Sequence, residues 1–230
     1  MTPKKQVAVM VAIFSALGIG VSVGIIAFGG GFGSGSSIFD PPTQDDVYVV
    51  GSQITDGLVM DYTLDAVGPQ STLADADVSI GFEQQGDSWL ATFNIVNGTQ
   101  AQYDFGVTYS QELTKQGAVS EDVRPYLEPV ETSIIAVRDM DYGNRDKYLK
   151  VSAPWNTIFY GSTQTVVRIT GEETITTPAG TFETFVLSYK LAENTSTIHV
   201  VKDLPFPVKA EVYDPEDQLL YRYELVNLAR

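Results

Sequence analysis

Between residues 139 and 146 the chain reads Asp139-Met140-Asp141-Tyr142-Gly143-Asn144-Arg145-Asp146, three carboxylates and an amide close together. Calcium takes roughly six to eight oxygen ligands, often from a tight turn, which makes Asp139, Asp141, Asn144 and Asp146 the candidate metal ligands. Gly143 and Asn144 stand in the reverse of the order that a helix-loop-helix calcium loop requires, and no Glu ends the loop. A solvated turn is therefore the expected state of this segment, and no metal is expected. Asp75 and Asp77, two apart, would share one face of a strand, although solvation in a loop accounts for them equally. His199 is the only histidine. It sits between Ile198 and Val200 and should point away from both, on the surface or on a sheet face. A triad would need a serine nucleophile beside it, and no G-x-S-x-G elbow is present. A carboxylate pair can hydrolyse glycosides, but nothing marks out one pair among 29 acidic residues. There is no Cys, which removes disulfides, Cys-ligated zinc, iron-sulfur clusters and thiol catalysis. The glycines from Gly29 to Gly35 follow an apolar run and precede no helix, so they are not a phosphate cradle. The residues point to a protein that is not an enzyme and uses no cofactor.

The elements that would position these groups are mainly strands. From residue 47 onward apolar and polar residues alternate, and Val, Ile, Thr, Tyr and Phe dominate. Leu58, Met60, Tyr62 and Leu64 share one face, as do Val78, Ile80 and Phe82, and Trp89, Ala91, Phe93 and Ile95. Gln84 to Asp87 form a turn. Asn97-Gly98 is the dipeptide that best suits a type I′ hairpin turn, and Tyr103, Phe105, Val107 and Tyr109 follow it. In the second half Thr165, Val167 and Ile169 lead through Gly171 to Thr177. Pro178-Ala179-Gly180 then turns the chain into Phe185, Leu187, Tyr189 and Leu191. Ile198 and Val200 precede Leu204-Pro205-Phe206-Pro207. Val208, Ala210 and Val212 follow, and after the turn Asp214 to Asp217 so do Leu219, Tyr221, Tyr223 and Leu225. Residues 112–116 and 128–137 are the two places for a short helix, confined by Pro125 and Pro129. The expected fold is all-β: an antiparallel meander forming a sandwich or a strongly curved open sheet, with one N-terminal transmembrane helix.

That helix is the run Val7 to Phe28, 22 residues without a charge. It would be about 33 Å long at 1.5 Å per residue, enough to span a bilayer. A cleaved secretory signal has a shorter apolar core of roughly 7 to 15 residues, so a retained anchor is expected. Lys4 and Lys5 precede the run, and no basic residue follows it until Lys115. The positive-inside rule then gives a cytoplasmic N-terminus at 1–6, a membrane span at 7–28, a Gly/Ser-rich tether at 29–42 and an extracytoplasmic β-domain at 43–230. The sequons Asn97-Gly98-Thr99 and Asn194-Thr195-Ser196 suit that placement. Asn97 and Asn194 are candidate glycosylation sites, with plain turn or loop roles equally open to each.

Within the span, Ala8, Ala12, Ala16, Gly20 and Gly24 fall at four-residue spacing. Ala12, Ala16, Gly20 and Gly24 are thus candidates for close helix association, homo- or heteromeric, although small residues are common in any membrane helix. Residues 40–230 hold all 29 acidic residues against 12 of the 14 basic ones, a formal net of −17. Such a domain lacks the basic face that nucleic acid demands, and anionic lipid would repel it.

The segment Thr176-Thr177-Pro178-Ala179-Gly180-Thr181-Phe182-Glu183-Thr184 is followed by Val208 to Tyr213 and by the closing strand Tyr221-Arg222-Tyr223-Glu224-Leu225. Together these resemble envelope proteins of the lipoprotein-carrier type (LolA/LolB-like) and membrane-anchored archaeal surface proteins with a similar C-terminal region. The resemblance covers about 60 of the 230 residues. It implies a curved antiparallel sheet whose concave face shelters apolar ligands. The carriers are secreted or lipidated, whereas this chain has an apolar N-terminal run, which sets a shuttling role apart from it. The expected function is binding of a lipid-like ligand or a protein partner in the cell envelope. The alternative is a structural or accessory subunit of a membrane complex, held through its transmembrane helix.

Overall fold

A computed structural model describes residues 41–66, 73–137, 147–160 and 163–230. The apolar run 7–28 with its small-residue ridge, the tether up to residue 40 and the acidic segment 139–146 lie outside these residues. Among the described residues, no helix is long and apolar enough to cross a membrane.

The strands are β1 (Val47–Tyr48), β2 (Val59–Ala66), β3 (Ala76–Gln85), β4 (Ser88–Val96), β5 (Gln102–Ser110) and β6 (Lys115–Gln116), and, after the helix α1 (Arg124–Ser133), β7 (Lys147–Tyr148), β8 (Pro154–Tyr160), β9 (Thr163–Thr177), β10 (Gly180–Lys190), β11 (Thr195–Val200), β12 (Lys209–Tyr213) and β13 (Leu219–Ala229). Eleven of them form one antiparallel sheet in the order β6-β5-β4-β3-β2-β13-β12-β11-β10-β9-β8, while β1 and β7 pair separately. Two ladders of hairpins, β2–β6 and β8–β13, are thus joined where β13 pairs with β2. The all-β expectation holds, and of its two forms the molecule is the open sheet rather than the sandwich. Strong curvature is visible in the contact between β9 and β13, strands separated by three others in the sheet.

Alternation decides which face is buried. Leu58, Met60, Tyr62 and Leu64, then Val78, Ile80 and Phe82, then Trp89, Ala91, Phe93 and Ile95 all lie in one core, as do Val107 and Tyr109 of β5. Their neighbours in sequence, such as Asp61, Asp77 and Asn94, belong to the opposite, solvated face. On that face Arg222 is 2.9 Å from Asp65, and the Asn227 amide donates to Asp61 at 2.8 Å.

Two local expectations are corrected. The β4–β5 hairpin is present, but Val96 pairs with Gln102, so its loop is five residues long rather than a two-residue type I′ turn. Gln100, at φ +64°, takes the positive dihedral. Gly98 serves close approach instead, since a Cβ there would lie 3.0 Å from the Ala74 carbonyl oxygen. Residues 112–116 form no helix: Leu113 turns at φ +60° and the chain enters β6. The helix that does form runs through both prolines. Pro125 lies in the first turn, where a backbone N–H has no carbonyl four residues back within the helix to lose. Pro129 removes one internal bond. The helix is held nonetheless by burial of Leu127 and Val130 and by buried Glu131, which accepts from the Tyr109 hydroxyl at 2.9 Å and from Lys115 at 2.8 Å.

Candidate binding surface

The concave face of the sheet is occupied by the chain itself. After β11 the segment Leu204-Pro205-Phe206-Pro207-Val208 crosses it, every residue buried. Phe206 lies fully buried with its ring 5.9 Å from that of Phe82. A buried backbone must satisfy its polar groups, and this strap does so economically. Pro205 and Pro207 carry no N–H, the Leu204 N–H donates to the Val201 carbonyl at 3.2 Å and that of Val208 to the His199 carbonyl at 2.9 Å. Three of the five carbonyls are met by tyrosines: Tyr48 donates to Leu204 at 3.0 Å and to Pro205 at 3.2 Å, and Tyr62 donates to Pro207 at 3.1 Å, while the Val208 carbonyl accepts from the Leu225 N–H at 2.8 Å. Burial pushes the Tyr48 and Tyr62 hydroxyls well above their ordinary range, so both remain neutral donors. Tyr48 packs against Trp155 at 5.6 Å, and Tyr62 meets Tyr223 edge to face at 5.8 Å. The apolar ligand site expected on this face is therefore filled by Tyr48, Tyr62, Phe206 and their neighbours.

Apolar surface reaches solvent elsewhere. The outer end of the β9–β10 hairpin extends past the last residue of β11, and the sheet's curl brings it towards the end of β13. Between them lies a depression of about 400 Å³ lined by Phe182, Val201, Leu204, Leu228, Asp203 and Arg230. Phe182, Val201 and Leu228 are half-buried against the core. The Arg230 guanidinium donates to the Asp203 carbonyl at 2.6 Å, which leaves the rim one cationic and one anionic side chain. Four apolar walls and a charged rim can hold a large apolar side chain and orient the polypeptide that carries it.

A second depression, about 370 Å³, opens on the polar face between Asp65, Asp75, Asp77, Lys209, Arg222 and Glu224. Its cations are engaged, Arg222 with Asp65 at 2.9 Å and Lys209 with Glu224 at 3.7 Å. Asp75 and Asp77 both line it, but Asp75 stands before β3 at φ +50° rather than within the strand. Among the described residues, no three His, Asp or Glu side chains gather to hold a metal ion.

His199 does face away from Ile198 and Val200, on a sheet face as expected, but it is buried rather than at the surface. Its Nδ1 is 3.3 Å from the Thr184 hydroxyl, with Lys209 opposite it on β12. Burial lowers its proton affinity, nearby Glu173 opposes this and Lys209 adds to it.

The sequons differ in their surroundings. Asn97 lies at an exposed loop. Asn194 is tied to the β12–β13 turn, its backbone N–H donating to Asp217 at 2.7 Å. In the sequence Phe182 stands out only within the resemblance segment 176–184, and Leu228 and Arg230 not at all, because the depression arises from the curl of distant strands and has no local pattern. The strap did carry a signal, two prolines flanking a Phe.

No family model matches the chain, and no curated protein matches it. Among solved structures it is similar to an exported protein with a YmcC-like fold from Bacteroides fragilis, at 10% identity and a TM-score of 0.40 over 80% of this chain and 100% of that one. It is also similar to MucB, at 14% identity and a TM-score of 0.43 over 79% of this chain and 55% of that one. A chain of the Pseudomonas aeruginosa MucA/MucB complex gives 13% identity and a TM-score of 0.43, over 79% of this chain and 54% of that one. This chain thus spans about half the length of MucB and the full length of the exported protein.

Proposed function

We propose that the chain is a single-pass membrane protein whose extracytoplasmic β-domain binds a protein partner, without catalysis and without carrying an apolar ligand. The charge asymmetry around residues 7–28 supports the anchor and its orientation. The observation that carries the binding reading is the filled concave face. Phe206 and the tyrosine-held strap occupy the place a lipid would take. Apolar surface remains open in the depression beside Phe182 and Leu228, which is sized for a side chain of a partner.

The test is site-specific photo-crosslinking in the full-length protein within its native membranes. A photoreactive residue in place of Leu228 is expected to give a discrete protein adduct, lost on Phe182→Asp in a chain that melts at the same temperature. The same residue in place of Asn94, on the polar face, should give none. Equal adducts from both positions, or none from Leu228, would contradict the proposal.

A further inference from the structure

The two sequons look alike as sequences, and their geometry separates them. Asn97 sits in an Asx-type turn. Its Oδ1 accepts from the Thr99 N–H at 3.1 Å, the Thr99 hydroxyl at 2.7 Å and the Ala101 N–H at 3.0 Å. Three donors fix the carboxamide plane by its oxygen, and its Nδ2 has no partner among the described residues. Gly98, Thr99 and Gln100 are all exposed, so the hydroxyl and the amide nitrogen that a transferase must reach together are presented side by side on one loop.

Asn194 is the opposite case. Its Nδ2 donates to the Asp217 carbonyl at 3.4 Å and its backbone N–H to the Asp217 carboxylate at 2.7 Å. The hydroxyl of its sequon belongs to Ser196, which is 1% exposed and accepts from the Tyr213 N–H at 3.0 Å. A catalyst cannot contact that hydroxyl without opening the β11–β12 pairing.

We infer that Asn97 is an N-glycan acceptor and that Asn194 is not. Transfer forms a bond between Asn97 Nδ2 and the anomeric carbon of a sugar. It breaks that carbon's bond to the phosphate oxygen of a polyisoprenyl-phosphate-linked donor, which leaves as the lipid phosphate. One carboxamide proton passes to a base of the membrane transferase. This rests on the extracytoplasmic placement proposed above, because such donors are used outside the cytoplasm.

The experiment is glycopeptide mass spectrometry of the full chain isolated from the membranes of its own host. In parallel, sealed cells are treated with an impermeant amine reagent to report the side on which the exposed Lys190 lies. The expected result is a glycan on the Asn97 peptide, an unmodified Asn194 peptide and labelled Lys190. Thr99→Ala should abolish the modification and Thr99→Ser retain it, both with the wild-type melting temperature. A bare Asn97 with Lys190 labelled would overturn the inference while leaving the placement intact, as would a glycan on Asn194 at equal occupancy. An unlabelled Lys190 would overturn both.

Discussion

The two ladders of the sheet are built from similar residues and behave differently. From β2 to β5 the pairing runs without a break: Val59 with Gly81 through Leu64 with Ala76, Asp77 with Val96 through Gln85 with Ser88, and Ser88 with Ser110 through Val96 with Gln102. In the second ladder the register shifts at Pro154/Asn156, at Val186/Leu187 and at Val212/Tyr213, and the seam with β2 shifts again at Leu225/Asn227. A bulge bends its strand and increases the local twist. The regular ladder is thus a wall closed by α1, and the bulged ladder curls until β9 meets β13. The depression and the strap both belong to the curled half. Irregularity gives the second half its surface features.

If both halves share one core, truncating either should cost the same. Phe93→Ala in the regular ladder and Phe206→Ala in the strap are each expected to lose about 3–5 kcal/mol, in a single urea transition. Two separate transitions would show that the β13–β2 seam joins independent units. A smaller effect sharpens the role of the tyrosines. Tyr62→Phe keeps the ring and leaves the Pro207 carbonyl without its donor, at a cost of about 1–3 kcal/mol by denaturation. A neutral result would mean that packing alone holds the strap.

The smallest effect concerns pH and the curled half only. The folded state lowers the proton affinity of His199, whereas the unfolded chain protonates near the ordinary value of about 6.5. The unfolded state then binds more protons below that pH. The contribution from His199 is complete above about 6.5 and is lost as pH falls from there toward the lower folded value. The urea midpoint should drop between pH 7 and pH 5, and His199→Gln should flatten part of that slope. An identical slope in both proteins would remove His199 as its source.

Much of the sheet was legible in the sequence because alternation is a local signal. Leu58 to Leu64, Trp89 to Ile95 and Tyr221 to Leu225 all bury the face that their spacing indicated. The turns at Gly86 and Gly180 were legible because glycine marks them locally: Gly86, at positive φ, lies in the two-residue loop between Gln85 and Ser88, and Gly180, at φ +143°, begins β10 directly after the two-residue loop Pro178-Ala179. The type I′ reading of Asn97-Gly98 failed because the Asn97 side chain closes a wider loop by accepting from Thr99 and Ala101. Helix α1 was half visible. Its prolines argued for a break, but one falls in the first turn and the other is outweighed by Leu127, Val130 and the Glu131 network. The filling of the concave face was not legible, because Phe206 is more than a hundred residues from Phe82 and only the tertiary structure joins them. Gly171 marks the bulge at Thr170, whose hydroxyl donates to the Val186 carbonyl at 3.3 Å, but a lone glycine does not reveal how far the strand will bend.

On the proposed function, the concave face is filled by the chain and binding takes place outside it, which native mass spectrometry of the protein released from its membranes can check. The predicted result is the mass of the polypeptide with any covalent glycan, alone or with a protein partner, and no bound lipid. An apolar molecule that stays with the folded domain, and is lost when Phe182 and Leu228 are intact but Tyr48 or Tyr62 is altered, would contradict it.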